Sequence, residues 1–160
     1  MSLYIIMSKS VWGPATWTML HCLVLKIKDD VTISNTNINE LKILITSICD
    51  NLPCPYCASH ARSIIQKSNF NKIQDILTLR VFVFQLHNIV NEKLKKTKME
   101  YSEHLERYKN VKLVDVINTF IKAYNNNSGT TMMLYSFHKK QVTTQLRTYF
   151  KNYASLYILN

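Results

Sequence analysis

The sequence has very little glycine and proline. It contains two glycines and three prolines among 160 residues. Both residue types mark the frequent tight turns of β-sandwiches and β-barrels, so their scarcity argues against those classes. The composition instead favours helices joined by short links, and the length suits one domain with a proper core.

Cysteine is also scarce. The four cysteines are Cys22, Cys49, Cys54 and Cys57, too few for the disulfide scaffold of a small secreted protein. A single closely spaced pair in an intracellular protein more often indicates redox or metal chemistry. Cys22 and Cys49 fall on the apolar faces of predicted helices, so we expect both to be buried and unreactive.

Long hydrophobic runs are missing, whereas positive charge is in excess. Residues 1–7 are too short a run to span a bilayer, and Lys9 follows that run where a signal peptide needs positive charge ahead of it. The formal net charge is +10, and no acidic residue follows Asp115. The lysines are scattered, which is typical of a solvated face. We therefore expect no nucleic-acid binding and no membrane span; an anionic cofactor or partner would explain the excess charge.

Hydrophobic periodicity predicts five helices and a C-terminal extension. The predicted helices cover residues 12–26, 38–51, 55 to about 69, 73 or 78 to 95, and 102–124, the last with a break near Asn110. Residues 29–39 are predicted to form a polar loop. Residues 77–86 resemble a strand in composition, but the period of the residues that follow favours a helix.

The same pattern divides the chain into four regions. They are an N-terminal segment 1–11, a domain 12–124, a linker 125–130 with Gly129 as hinge or helix cap, and an extension 131–160. The extension carries an amphipathic helix with an apolar face formed by Leu146, Tyr149, Phe150, Tyr153, Leu156 and Tyr157. That face requires a cover, either from the same chain or from a second copy.

The most informative stretch is Cys54-Pro55-Tyr56-Cys57. Two cysteines at this spacing at the start of a helix bring their sulfurs within bonding reach, so the pair can cycle between dithiol and disulfide. Cys54 suits the N-cap, and Pro55 suits the first helical position, where an N–H is not needed. The positive end of the helix dipole would stabilise a thiolate.

Three interpretations of this pair are open. A zinc site would take His60 and His87 as further ligands, but structural zinc sites usually bring their ligands in two close pairs. A thioredoxin-like domain fits the motif but requires a preceding strand and a later cis-proline, whereas Pro55 is the last proline. The third interpretation places a flat redox cofactor beside Cys57. A non-enzymatic helical protein that uses the pair for zinc binding or interaction is the alternative function.

Three motifs in order carry a resemblance to a known family. They are Trp12-Gly13-x-x-x-Trp17-x-x-x-His21, Cys54-x-x-Cys57-x-x-His60 and His87-Asn88-x-Val90-Asn91-x-Lys93-Leu94. Over roughly residues 12–110 the chain resembles the Erv/ALR family of FAD-linked sulfhydryl oxidases. The resemblance implies an all-α fold, a four-helix bundle plus a short fifth helix that holds FAD non-covalently. The additional C-terminal amphipathic helix lies outside that family core.

The resemblance also implies roles for individual residues. Cys54 would exchange with a substrate dithiol, and Cys57 would lie next to the flavin. The implied contacts with FAD are Gly13, Trp17, His21, Cys57, His60, His87, Asn88, Val90, Asn91, Lys93, Leu94, Lys96 and Tyr108. Of these, Lys96 and Tyr108 match the family more loosely, with tyrosine where many members have tryptophan.

The implied activity is the oxidation of protein dithiols, with electrons passing through FAD to O2 to give H2O2. Many cellular members carry a second cysteine pair in a flexible tail, and this sequence has no such pair. It is most similar to the minimal oxidases of large cytoplasmic DNA viruses, which act through a separate thioredoxin-like carrier. We therefore expect such a carrier as partner, and the resemblance also implies a homodimer. The expected location is the cytoplasm of the infected host cell (the virus factory) or the virion, with the mitochondrial intermembrane space as alternative.

Overall fold

The computed structural model describes residues 3–125 and 132–160, with the side chains of residues 9–124 and 140–160. The helices in these residues are α1 (Leu3–Leu25), α2 (Asn35–Asp50), α3 (Pro55–Lys67), α4 (Ile76–Lys93), α5 (Tyr101–Tyr108), α6 (Leu113–Asn125) and α7 (Met132–Tyr153). Short 3₁₀ helices follow α3 at Phe70–Lys72 and α7 at Ala154–Leu156. The predicted all-α class is confirmed. The predicted linker, with Gly129, lies outside the described residues except for Asn125, which ends α6.

Helix α1 begins at Leu3, so the predicted start at Trp12 was wrong. Residues 3–11, which we expected to precede the domain, are part of this helix, and Pro14 lies inside it. Sequence rules place proline in a first turn because its missing N–H costs nothing there. Inside a helix, proline removes one backbone hydrogen bond and favours a break without requiring one. The rule therefore placed the start too late.

Side-chain caps set the starts of the next helices. The Ser34 hydroxyl accepts a hydrogen bond from the Asn37 N–H at 3.1 Å, and the Asn37 side chain accepts one from the Ser34 N–H at 3.0 Å. This capping box starts α2 at Asn35, so the predicted loop ends earlier than residue 39. Cys54 caps α3 and Pro55 is its first residue, as predicted.

Two further predictions about the helices are confirmed. The strand-like residues 77–86 belong to α4, where Asp75 caps the helix by accepting a hydrogen bond from the Thr78 N–H at 2.8 Å. The predicted fifth helix is broken around Asn110 into α5 and α6. Among the described residues, no helix has the length and apolar composition needed to cross a bilayer.

Helix α1 lies at the centre of the structure. Residues 19–24 are buried without interruption, and α1 packs against α4, α5 and α6. A helix that is enclosed on all sides can be apolar all round, which fits this stretch except at His21. Helix α2 packs on α3 and α7 and adds its apolar face to the same core.

The C-terminal extension packs on its own chain. Leu146, Tyr149 and Tyr157 are buried in the core. The Tyr157 hydroxyl donates to the Leu23 carbonyl at 2.9 Å and lies 2.8 Å from the Tyr149 hydroxyl. Of the two predicted covers for the apolar face of the extension, the structure shows the one within the chain.

Residues 154–160, which we call the C-terminal strap, join the end of α1 to the start of α6. The Ile158 N–H donates to the Lys26 carbonyl at 2.8 Å, and the Val114 N–H donates to the Leu159 carbonyl at 3.2 Å. These bonds satisfy backbone groups at two helix ends, where intrahelical partners are missing. The strap is therefore part of the fold and not a loose tail.

We expect Tyr157→Ala to lower the free energy of unfolding by about 3 kcal/mol or more, because loss of a buried aromatic ring leaves a cavity. The substitution also leaves the Leu23 carbonyl without its donor. Urea unfolding followed by circular dichroism measures the change. The matched control is Ile158→Ala, whose side chain is 49% exposed; it should change the value by less than about 0.5 kcal/mol. Equal effects of the two variants would contradict the role given to the strap.

Candidate active site

Cys54 and Cys57 form a disulfide at the start of α3, with Cα atoms 5.2 Å apart. The Cys54 sulfur accepts a hydrogen bond from the Cys57 N–H at 3.2 Å. Both cysteines are partly exposed, and Pro55 and Tyr56 between them are exposed. The disulfide therefore lies at the surface beside a helix N-terminus, where an incoming thiolate can reach it and a released thiolate is stabilised.

A cleft of about 1100 Å³ opens beside this disulfide. Its walls come mainly from α1, α3, α4, α5 and the segment between α4 and α5, and Cys49 of α2 also lines it. The cleft is larger than the range of about 300–1,000 Å³ typical of pockets for small molecules, so it can hold an extended ligand. The predicted contact residues that line it are Gly13, Trp17, Cys57, His60, His87, Val90, Asn91, Lys93, Leu94, Lys96 and Tyr108.

Two predicted contact residues, His21 and Asn88, do not line the cleft. The Asn88 side chain bonds to the backbone of Met99, donating to its carbonyl at 2.9 Å and accepting from its N–H at 3.0 Å. This pair of bonds holds the segment after α4 against the helix. Met99 and its neighbours line the cleft, so Asn88 positions part of the wall.

His21 is buried behind the cleft wall. Its Nε2 lies 2.8 Å from Nδ1 of His87. His87 stacks on Trp17 with ring centroids 4.0 Å apart and planes 10° apart. Since Trp17 and His87 both line the cleft, His21 supports this aromatic wall from inside the core.

The sequence interpretation missed His104 on α5. This residue is buried, and its ring stands edge-on to His21 with centroids 4.3 Å apart. Within the described residues, neither of its ring nitrogens has a hydrogen-bond partner. An unpartnered buried polar group costs about 1–3 kcal/mol. The i, i+4 spacing to Tyr108 places both side chains on one helix face, and that spacing was the signal available in the sequence.

Burial lowers the pKa of all three histidines. Burial is the largest cause for His21, followed by the nearby His104, His87 and Arg107, and together they lower its pKa to about 2. For His87 and His104, burial followed by neighbouring basic groups brings the pKa to about 4. Each ring is therefore neutral at pH 7 and carries one N–H and one bare nitrogen.

Basic side chains surround the cleft. Its lining includes Lys9, Lys93, Lys96, Lys98 and Arg107, together with the acidic Glu103. Lys98 is paired with Glu92 at 3.2 Å, and the Lys93 ammonium lies 4.8 Å from the centre of the Tyr56 ring. Lysine and arginine in such a group bind phosphates and diphosphates. The sequence showed the lysine-rich segment 93–98, but not that Arg107 joins it.

The remaining cysteines are buried thiols, as predicted. Burial raises the pKa of Cys22 to about 11 and that of Cys49 to about 12, so neither forms a thiolate readily near pH 7. In the part of the chain that the structure describes, no group of three or more His, Cys, Asp or Glu side chains is arranged to hold a metal ion.

Comparisons with known proteins bear on this site. Residues 14–109 match the model of the Erv1 / Alr family. A probable FAD-linked sulfhydryl oxidase of fowlpox virus is 32% identical over 82 residues, which cover 51% of this chain and 80% of that protein. An FAD-linked sulfhydryl oxidase of African swine fever virus is 31% identical over 110 residues, which cover 68% of this chain and 85% of that protein. A putative FAD-linked sulfhydryl oxidase of invertebrate iridescent virus 3 is 28% identical over 100 residues, which cover 62% of this chain and 66% of that protein. No solved structure gives a significant match.

We expect His104→Leu to raise the free energy of unfolding at pH 7 by about 1 kcal/mol, because leucine removes two unpartnered nitrogens from an apolar site. This increase in the free energy of unfolding should be larger at lower pH. The native state binds fewer protons than the unfolded state between the lowered pKa of His104, about 4, and the unfolded value. Each such histidine therefore costs about 2 kcal/mol of stability between pH 7 and pH 5.

The advantage of the leucine variant should accordingly reach about 3 kcal/mol at pH 5, as the sum of these two terms. Urea unfolding of both proteins at the two pH values measures it. An advantage that is the same at pH 5 and pH 7 would show that His104 is not held neutral in the native state.

Proposed function

The chain belongs to the Erv1 / Alr family, and from this premise we propose that Cys54 and Cys57 are its redox centre. The chain is an FAD-linked thiol oxidase, an enzyme that converts protein thiols to disulfides. The observation that carries the assignment of the centre is the surface disulfide between Cys54 and Cys57, which adjoins a large basic and aromatic cleft.

The residues of the cleft fit FAD. Its basic lining suits a diphosphate, and the rings of Trp17, His87 and Tyr108 suit flat ring systems. At Gly13 the nearest atom to an added Cβ would be the Lys9 Cγ, at 4.0 Å, so the space in front of this glycine is open to a ligand. When bound, FAD supplies an acceptor for two electrons.

We propose that FAD is held by the residues that line the cleft and were implied by the family motifs. They are Gly13, Trp17, Cys57, His60, His87, Val90, Asn91, Lys93, Leu94, Lys96 and Tyr108, to which the structure adds Arg107. His21 and Asn88 act from behind this lining, through His87 and Met99 respectively.

Cys54 is the proposed target of the substrate. A substrate thiolate attacks the Cys54 sulfur, the bond to Cys57 breaks, and Cys57 leaves as a thiolate beside the N-terminus of α3. The second thiolate of the substrate then attacks the substrate sulfur that is bonded to Cys54 and releases Cys54 as a thiolate. The substrate leaves as a disulfide, and the pair retains two electrons. Cys57, which lines the cleft while Cys54 does not, is the proposed donor toward the cofactor.

We propose dioxygen as the final acceptor, which takes up two electrons and two protons and becomes hydrogen peroxide. The proposed substrate is a separate thioredoxin-like carrier with its own dithiol. Two facts support an external dithiol: residues 58–160 contain no cysteine, and Cys22 and Cys49 are buried. No second exposed pair within this sequence is available to relay electrons to Cys54.

The location and the assembly of the protein are also proposals. The relatives described above come from large DNA viruses, which supports a role in the cytoplasm of an infected host cell, in the virus factory or the virion. Fluorescence localisation would distinguish this from the mitochondrial intermembrane space. Mass in solution, with and without residues 131–160, would test the proposed homodimer and the part of the extension in it.

We expect Cys54→Ser and Cys57→Ser each to reduce dithiothreitol-dependent oxygen consumption to the background rate, because neither single cysteine can complete the exchange. An oxygen electrode measures the rate, and visible absorption shows whether flavin is still bound. Cys22→Ala, which removes a buried thiol away from the cleft, is the control and should retain turnover. A colourless wild-type protein that contains zinc would contradict the proposal.

We expect Arg107→Gln to weaken FAD binding about tenfold or more, since a hydrogen bond to a charged group contributes about 1.5–3 kcal/mol. Fluorescence titration of the flavin-free protein with FAD measures the dissociation constant. The matched control is Arg147→Gln on α7, an exposed arginine outside the cleft lining. If the control weakens binding equally, the effect comes from overall charge and not from a contact in the cleft.

A further inference from the structure

We propose that His21 and His104 form a buried layer that holds His87 in a single tautomer, with its Nε2–H directed into the cleft as a hydrogen-bond donor. The identity of the acceptor, bound FAD, rests on the proposed function. The tautomer itself does not, because it follows from contacts within the chain. His21 and His104 are therefore positioning residues that act through His87.

The two nitrogens of His87 lie in different surroundings. Nδ1 is 2.8 Å from the buried Nε2 of His21. Among the described residues, the buried ring nitrogens without a partner are Nδ1 of His21 and both nitrogens of His104, and Nε2 of His87 is not one of them. Because His87 lines the cleft, its Nε2 is the ring nitrogen that a ligand there can reach.

Two arrangements of protons satisfy the bond between His21 and His87. In the first, His21 Nε2–H donates to His87 Nδ1, which leaves His21 Nδ1 bare and puts the proton of His87 on Nε2. In the second, His87 Nδ1–H donates, and His21 must then carry a buried N–H on Nδ1 with no acceptor. Buried N–H groups without an acceptor are rarer in proteins than buried acceptors without a donor. The first arrangement is therefore favoured.

The packing of His104 against His21 bears on which of the two proton arrangements is adopted. Its ring stands edge-on against His21, with centroids 4.3 Å apart and planes at 73°. Phe84 and Tyr108 flank His104 with ring centroids 5.1 Å and 5.2 Å away. Nδ1 of His21 is buried and has no acceptor among the described residues, so a proton on that atom is disfavoured.

The groups around His87 also keep its ring neutral. It contacts Trp17 and His21 on α1. The titratable groups that act on it electrostatically are His104 and Arg107 on α5 and Lys96 after α4. None of these is a carboxylate. Burial, followed by His104, Arg107 and Lys96, lowers the pKa of His87 to about 4. The ring stays neutral at physiological pH, so its tautomer decides whether the cleft meets a donor or an acceptor.

A fixed donor has a consequence for an electron acceptor in the cleft. An N–H aimed at a bound ring system stabilises negative charge that develops there on reduction. We therefore expect His21→Leu, which removes the partner of His87 Nδ1, to favour the oxidised form of the bound flavin by about tenfold. For a two-electron couple this is a fall of about 30 mV in midpoint potential. His21→Gln keeps an amide at the position of Nε2 and should restore most of the shift.

Nitrogen-15 NMR of the imidazole rings in the FAD-bound protein tests the tautomer directly. Between about pH 5 and pH 8, where an ordinary histidine titrates, we expect His87 to remain neutral with its proton on Nε2. In His21→Leu it should sample both tautomers, and in His21→Gln it should return to the single form. Arg147→Gln, at an exposed position outside the cleft lining, is the control, which should leave His87 unchanged.

Three results would overturn the inference: a proton on Nδ1 of His87 in the unaltered protein, titration of His87 near the ordinary value of about 6.5, or no change in His21→Leu. The first two results are measured on the unaltered protein, so the inference can be tested even if a variant fails to fold. If the protein binds no flavin but His87 shows the fixed Nε2–H tautomer, the proposed function fails while the tautomer is supported.

Discussion

The enclosed middle of α1 is the constraint on which the rest of the structure depends. Residues 19–24 are buried on every side, so α4, α5 and α6 must pack around this helix. His21 carries the one ring with polar atoms in this stretch. Because it has no access to water, its hydrogen-bond partner must lie inside the core. That partner is His87 on α4. The contact that satisfies a buried histidine thus also sets the aromatic wall of the cleft.

Basic side chains close the ends of the helices around this centre. Arg80 donates to the Val24 carbonyl at 2.8 Å near the end of α1, and Lys26 donates to the Lys109 carbonyl at 2.9 Å just after α5. Cations suit these positions because the last carbonyls of a helix lack partners and carry partial negative charge. The Lys26 bond holds the end of α5 beside α1, while Arg80 and the C-terminal strap tie α4 and α6 to the same end of α1. Helix α5 supplies His104, Arg107 and Tyr108 to the site. Part of the excess positive charge therefore serves the fold, and part lines the cleft.

Much of the fold and of the cleft lining could be predicted from sequence because the signals are local. Helix class follows from apolar periodicity and the scarcity of glycine and proline. The start of α3 follows from Cys54 and Pro55, whose capping and φ preferences act within one turn. Most of the lining residues were implied by the family motifs, and i, i+4 spacing accounts only for neighbours on one helix, such as Gly13 and Trp17. The same local rules failed at Pro14, where they placed the start of α1 too late.

The sequence by itself determined the helices, the position of the cysteine pair at a helix start, and the faces that carry the aromatic and imidazole side chains. Only the tertiary structure decided that α7 and the strap cover their own chain. It also decided that Arg107 joins the lysines of the cleft, and that His104 stands edge-on to His21 without a hydrogen bond. The physical reason is the range of the interactions. Caps and periodicity act over a few residues, whereas burial and the pairing of polar groups depend on helices distant in the chain.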